Sequence, residues 1–231
     1  MQRSVSTWQQ PVPPAASAER SAVVARVAAL VLACGGGRVR VGIDGRTAAG
    51  KTSFGHELAE VVAAAGRPVL RASLDDFKRP WRDRHLYDRE SGEGYYRNAF
   101  DVEAMHRLLL SPAAPGGSGT CALCSIDPLT QVDHSAWVTV AGPDAVLVVD
   151  GVFAFRPEVD ASWDLRIWLE IDEELSVRRG VHRDGAGSEA LHRDRYLVAE
   201  RLYLAEVDPA RRADVVIDNT DLASPRILVE R

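Results

Sequence analysis

Eight consecutive residues, Gly45-Arg46-Thr47-Ala48-Ala49-Gly50-Lys51-Thr52, satisfy G-x-x-x-x-G-K-[ST] at every fixed position. The spacing suits phosphate binding for physical reasons. Gly45 and Gly50 let the backbone bend so that successive N–H groups turn towards phosphate oxygens. The helix expected to follow adds the positive end of its dipole. Lys51 then reaches the terminal phosphates, and the Thr52 hydroxyl is placed to ligate magnesium. The expected cofactor-binding set runs from Gly45 to Ser53, with ATP and Mg2+ as its ligands. A second acid belongs beside such a loop. Val146-Leu147-Val148-Val149-Asp150 is a buried-strand pattern ending in a carboxylate, so Asp150 is expected to hold the metal with Thr52, directly or through water.

Two further places carry chemistry. Leu74-Asp75-Asp76-Phe77 follows the next apolar run, where Asp75 can orient an attacking hydroxyl or accept its proton. Arg178-Arg179-Gly180-Val181-His182-Arg183-Asp184, followed by Arg193 and Arg195, is an arginine cluster able to close over a triphosphate. Both have plainer readings: aspartates open turns, and arginines decorate solvated helix faces. Among phosphate-loop classes, a switch GTPase should carry Asn-Lys-x-Asp. Asp218-Asn219-Thr220-Asp221 lacks the lysine. Motor and transporter ATPases usually belong to longer chains, which leaves a small-molecule kinase.

These residues need a scaffold. Ser21 is expected to cap a helix running to about Cys34, closed by Gly35-Gly36-Gly37. Strands are expected over 38–43, 69–74, 145–149, 164–171 and 214–217, with two short ones within 121–140. Helices are expected over 52–65, 102–110, 173–183 and 196–206. The charged and aromatic stretch from Arg79 to Tyr96 shows no clean period and reads as a long surface connection or lid. Strands alternating with helices predict an α/β, doubly wound parallel sheet with helices on both faces. The domain is expected over 21–231, with a mobile lid about 178–195. Residues 1–20, with Pro11, Pro13 and Pro14, read as a flexible tail.

The chain has 231 residues and a formal charge of −5, which argues against a general nucleic-acid binder. Its partner is expected to be a small molecule, and homo-oligomerisation is left open. The run Ala22 to Cys34 is too short to span a bilayer and contains Arg26. No secretory signal pattern is visible. Cys121 and Cys124 form a single C-x-x-C without a second ligand pair, so they read as reduced thiols in a cytoplasmic protein.

Several of these segments together resemble the uridine kinase family, which groups with phosphoribulokinase and pantothenate kinase. The resemblance is carried in order by Gly42-Ile43-Asp44-Gly45, Asp75-x-Phe77, Ala99-Phe100-Asp101, Asp150-Gly151-Val152, Arg179-x-x-x-Arg183-Asp184 and Arg212-Ala213-Asp214-Val215-Val216-Ile217. It covers about residues 38–218. It implies ATP phosphates on the loop, magnesium near Thr52 and Asp150, Asp75 as the catalytic carboxylate, and Arg179 and Arg183 on the lid with Lys51 stabilising charge. Phe-Asp-His-Pro in the family is replaced here by Gly94-Tyr95-Tyr96-Arg97, and its Tyr-Asp-Phe by Ser125-Ile126-Asp127-Pro128. Asp150 stands where the family has glutamate. Asp75, Phe77, Tyr95, Tyr96 and Asp127 are the substrate-side candidates. The implied reaction is transfer of the ATP gamma-phosphate to a hydroxyl. A uridine- or cytidine-like nucleoside is the first acceptor to consider, a sugar phosphate or pantothenate-like alcohol the second. An ATP-binding regulator without turnover is the reading from outside the enzyme class.

Overall fold

Apolar strands flanked by helical segments must bury both sheet faces, and the computed structural model shows how they do so. It describes residues 1–8, 15–85 and 87–231. Pro11, Pro13 and Pro14 lie outside the described residues. The strands are β1 (Gln2–Arg3), β2 (Val39–Gly45), β3 (Val69–Ser73), β4 (Thr120–Ala122), β5 (Val138–Val140), β6 (Val146–Asp150), β7 (Leu165–Glu170), β8 (Val215–Asp218) and β9 (Arg226–Glu230). The main sheet runs β1-β3-β6-β2-β7-β8-β9, and β4 pairs with β5 as a separate antiparallel hairpin. Every pairing in the main sheet is parallel except β8 with β9. The doubly wound α/β sheet expected from the pattern is therefore present.

The helices are α1 (Ala18–Ala33), α2 (Lys51–Ala64), α3 (Gly92–Asn98), α4 (Val102–Ala104), α5 (Pro157–Asp160), α6 (Glu173–Asp184), α7 (Leu197–Val207) and α8 (Pro209–Arg212). Two wide-turn segments, Met105–Leu110 and Leu191–Tyr196, extend α4 and precede α7. No helix is long and apolar enough to cross a membrane among the described residues. Strand alternation divides the core in two. Val39, Val41, Ile43, Val146 and Val148 meet α1 and α2 on one face. Leu70, Leu147 and Val149 meet an aromatic cluster of Tyr95, Tyr96, Phe153 and Tyr203 on the other.

Four local expectations differ from the structure. Ser17, not Ser21, caps α1, accepting from Arg20 N–H at 3.0 Å. The stretch read as irregular contains α3, capped by Ser91 and burying Tyr95 and Tyr96. The chain after β8 returns as edge strand β9 with alternating exposure. The N-terminal residues also join the fold through β1, which pairs with β3. Cys121 and Cys124 are both buried free thiols, and burial raises both. That environment suits inert packing.

Gly42 marks the tightest point of the central strand. A Cβ there would lie 2.7 Å from the Trp163 ring. The Trp163 indole N–H is held 2.6 Å from the Ala154 carbonyl. Gly42→Ala is therefore expected to destabilise the fold by about 1–3 kcal/mol, read from the urea unfolding midpoint. An unchanged midpoint would show that Trp163 moves aside freely.

Candidate active site

The sheet order sets three chemically important strand ends side by side. β2 delivers the glycine-rich loop, β6 delivers Asp150, and β3 delivers Asp75. Register makes this concrete: Ile43 pairs with Asp150, and Asp150 with Ser73. All three open into one cavity of about 600 Å³, within the usual range for a small-molecule site.

The loop needs its glycines. Gly45 has φ +154°, and a Cβ on it would meet the Leu169 carbonyl at 2.6 Å. Gly50 sits at φ +91° as the residue before α2, a left-handed turn that favours glycine. Clamps from distant elements hold the loop from outside. Glu200 on α7 accepts the Thr47 N–H at 2.6 Å and pairs with Arg46 at 3.4 Å. Ser176 on α6 donates to the Thr47 carbonyl at 2.8 Å, and Asn219 after β8 donates to the Ala49 carbonyl at 2.6 Å. Arg46 thus turns its side chain towards Glu173 and Glu200. Thr47, Ala48, Gly50, Lys51, Thr52 and Ser53 line the cavity, while Ala49 is wholly buried.

Lys51 donates to the carbonyls of Gly45 at 2.9 Å and Arg46 at 2.8 Å. Burial pushes its ammonium down against the opposing pull of Asp44, Glu200, Asp150 and Asp75. Asp150 is held from two sides. The Thr52 hydroxyl donates to its Oδ2 at 2.6 Å, and Arg71 Nη2 meets its Oδ1 at 2.5 Å. Both partners of the Arg71–Asp150 ion pair are buried. Two hard oxygen donors, Thr52 and Asp150, converge at the phosphate end of the cavity. Magnesium fits such a pair when phosphate and water oxygens complete its shell.

Asp75 lies in a tight turn after β3, its N–H bonded to the Ser73 hydroxyl at 3.3 Å. Its carboxylate meets Lys78 at 2.6 Å. Burial pushes Asp75 up, but Lys78, Lys51 and Arg183 outweigh that and hold it below its ordinary value. An ionised group in this state orients a hydroxyl well and takes up a proton only late in the transfer. From α6, Arg178, Arg179 and Arg183 face the same cavity. Arg179 donates to the carbonyls of Asn219 at 3.1 Å and Thr220 at 2.8 Å, and Arg183 is bidentate on Asp184.

Of the substrate-side candidates, the cavity receives Asp75 and Tyr95. Three are placed elsewhere. Phe77 and Tyr96 are buried in the aromatic core. Asp127 is buried and already accepts from Thr7 N–H at 2.6 Å, Thr7 hydroxyl at 2.9 Å, Leu129 N–H at 2.9 Å and Thr130 N–H at 2.8 Å. Against the upward push of its burial, those donors hold it far below the usual carboxylate range. Both of its oxygens already have donors and the residue does not line the cavity, which corrects the expectation drawn from its motif. Trp8, Lys78, Trp81, Arg84 and Leu129 line the cavity without any sequence expectation. Arg71 did leave a signal, a charged residue inside an apolar strand. Glu200, Ser176 and Asn219 left none, because their role depends on long-range packing.

Two predictions arise from the buried carboxylates. Arg71→Met leaves Asp150 buried without its cation, which should cost about 3–5 kcal/mol in denaturant unfolding; an unshifted midpoint would rule the pair out. Beneath the loop, Asp44 accepts from Tyr203 hydroxyl at 2.6 Å, Gly45 N–H at 2.7 Å and Phe155 N–H at 3.2 Å. Burial still pushes it up from 3.8 to about 6. The folded state therefore binds more protons than the unfolded state between those values. The contribution of Asp44 to stability is full below pH 3.8 and falls as pH rises through 6. Relative to Asp44→Asn, the native chain should lose on the order of 2 kcal/mol between about pH 4 and 7. Parallel pH curves for the two proteins would contradict this.

The geometry agrees with what the chain is similar to. The family model for the phosphoribulokinase / uridine kinase family matches residues 40–220. Among solved structures, a possible uridine kinase from Bacillus stearothermophilus aligns with TM-score 0.65 and 24% identity, covering 87% of this chain and 97% of that one. A proposed fructose transport system kinase from Silicibacter sp. TM1040 aligns with TM-score 0.64 and 22% identity, covering 80% and 95%. D-glycerate 3-kinase from Cryptococcus neoformans var. grubii aligns with TM-score 0.55 and 11% identity, covering 90% and 99%. These likenesses establish the shared fold. No curated protein matches the chain significantly. With the family model spanning the loop, both strand-end acids and the arginine helix, the chain belongs to the phosphoribulokinase / uridine kinase family.

Proposed function

We propose that this protein transfers the terminal phosphoryl group of ATP to a hydroxyl of a small molecule. The observation that carries the reading is the meeting of Lys51, the Thr52–Asp150 pair and Asp75 in one cavity. Magnesium–ATP, when bound, supplies the phosphoryl group and the metal's charge neutralisation. The loop amides and the α2 N-terminus hold phosphate oxygens. Lys51 places a positive charge at the terminal phosphates, and Thr52 with Asp150 forms the protein's share of the metal site. Arg179 and Arg183 on α6 supply donors for charge spread over the transferring group. Asp75 orients the acceptor hydroxyl in line and takes its proton late in the step.

Uridine and cytidine are the acceptors that family membership suggests first. Of the pocket candidates the cavity offers them only Tyr95, whose ring already lies under Lys78 and Arg195, while Asp127 is occupied and Tyr96 is turned into the core. Other small alcohols therefore belong in the same panel. The decisive measurement is ADP release with nucleosides, sugars, sugar phosphates, hydroxy acids and pantothenate. At least one class should stimulate release. Asp75→Asn should then lower kcat by about 10²–10⁴-fold with ATP affinity retained. Full activity in Asp75→Asn would remove Asp75 from the mechanism. ATP binding without stimulation by any compound would instead favour a nucleotide-binding regulator.

A further inference from the structure

The cavity has two ends. Gly50, Arg179 and Asn219 mark one, where Arg179 reaches carbonyls next to the loop. Asp75, Lys78 and Tyr95 mark the other, with the Lys78 ammonium both on Asp75 and over the Tyr95 ring at 5.6 Å. Arg195 lies over the same ring at 5.0 Å, and Arg84 joins it in the wall of the cavity. Both arginines gather at the Tyr95 ring, the same ring that Lys78 reaches from Asp75.

Their charges are uncompensated. Lys78 and Arg183 have carboxylate partners, Asp75 and Asp184. Among the described residues, no Asp or Glu forms an ion pair with Arg84 or Arg195. Each is held instead by a single backbone carbonyl: Arg84 Nε donates to Arg79 O at 2.8 Å, and Arg195 Nη2 to Arg89 O at 2.5 Å. Those contacts fix the guanidinium planes without neutralising them. Each also keeps a buried nitrogen without a hydrogen-bond partner, Nη2 of Arg84 and Nε of Arg195. Burial pushes the Arg84 guanidinium down, and the nearby Arg195 charge pushes it further the same way. Two like charges close together in a half-buried aromatic wall, with no carboxylate between them, are costly unless an anion joins them from the cavity. Fixed guanidinium forks match the oxygens of phosphate or carboxylate.

We propose that the acceptor molecule carries an oxyanion, a phosphate or a carboxylate, bound by Arg84 and Arg195 while its hydroxyl rests on Asp75. This deepens the kinase reading and depends on it only for the word acceptor. The anion site itself is a separate claim. A neutral nucleoside leaves both arginines unmatched, whereas a phosphorylated sugar or a hydroxy acid satisfies them. The Tyr95 ring, stacked under Arg195, sets the floor between anion and hydroxyl.

The test has a binding arm and a turnover arm, both on the full chain. In the first, the nucleotide site is saturated with magnesium and a non-hydrolysable ATP analogue, and inorganic phosphate is titrated while thermal stability is followed. The native chain should show a saturable rise in Tm that Arg84→Gln and Arg195→Gln each weaken by about tenfold or more in apparent affinity. An unchanged far-ultraviolet circular-dichroism spectrum shows that each variant is folded. In the second arm, phosphorylated and carboxylated alcohols are compared with their neutral counterparts. The anionic members should give the higher kcat/KM. Each variant should raise KM for them by about tenfold or more, well beyond any change in KM for ATP, and Arg→Lys should recover only part. A sugar phosphate preferred over a hydroxy acid identifies phosphate as the group recognised; the reverse order identifies carboxylate. No phosphate binding by the native chain overturns the proposal. So does equal turnover of neutral alcohols with KM unmoved in both variants, while leaving the kinase reading intact. Arginine-dependent phosphate binding with no turnover of any compound keeps the anion site and overturns the kinase reading.

Discussion

The phosphate end of this protein depends on one buried carboxylate, Asp150, shared between Arg71 and the Thr52 hydroxyl. That single group joins three elements. Thr52 belongs to the first turn of α2, Arg71 to β3 and Asp150 to the end of β6. The guanidinium fits only because Gly55 on α2 has no side chain; a Cβ there would lie 2.6 Å from Arg71 Nη2. Coulomb attraction in a poorly solvated site offsets the desolvation of both charges only when the geometry is good. The pair is therefore a positional constraint more than a source of stability. It presents one carboxylate oxygen to Thr52 and withholds the other. Arg71, behind Asp150, fixes that short carboxylate at the end of β6.

The loop itself is shaped from outside by residues far away in sequence. Glu200 holds the Thr47 amide, Ser176 the Thr47 carbonyl and Asn219 the Ala49 carbonyl. Ser176 belongs to α6, the helix that also carries Arg179 and Arg183. The arginine helix and the loop are thus mechanically linked. Lys78 plays a comparable part at the turn after β3, where it holds the Asp75 carboxylate and lies over the Tyr95 ring.

The parts of this arrangement that are local were legible in the sequence. The phosphate loop, the strand-end acids Asp75 and Asp150, and the alternation of strands and helices all rest on short-range patterns, and the sheet order places them together. Other parts needed the third dimension. Gly92–Asn98 has two glycines and two tyrosines with no helical period; its helix forms because Ser91 caps it and Tyr95 and Tyr96 pack on Phe153. β9 was masked by its charged ends and becomes a strand only by pairing with β8. Asp127 shows the limit most clearly. Its motif position suggests a ligand contact, and its environment includes Thr7, 120 residues away along the chain. No local pattern announces that partner.

The N-terminal segment brings a consequence of a different kind. Gln2–Arg3 pairs with the outer edge of β3, Thr7 closes on Asp127, and Trp8 completes the cavity wall beside Leu129. Residues 1–8 therefore reach from the sheet edge, at Gln2 and Arg3, to the cavity wall, at Trp8. Docking of that segment and filling of the cavity are thermodynamically reciprocal. Whatever binds against Trp8 strengthens the edge pairing by the same free energy that the edge pairing lends to binding.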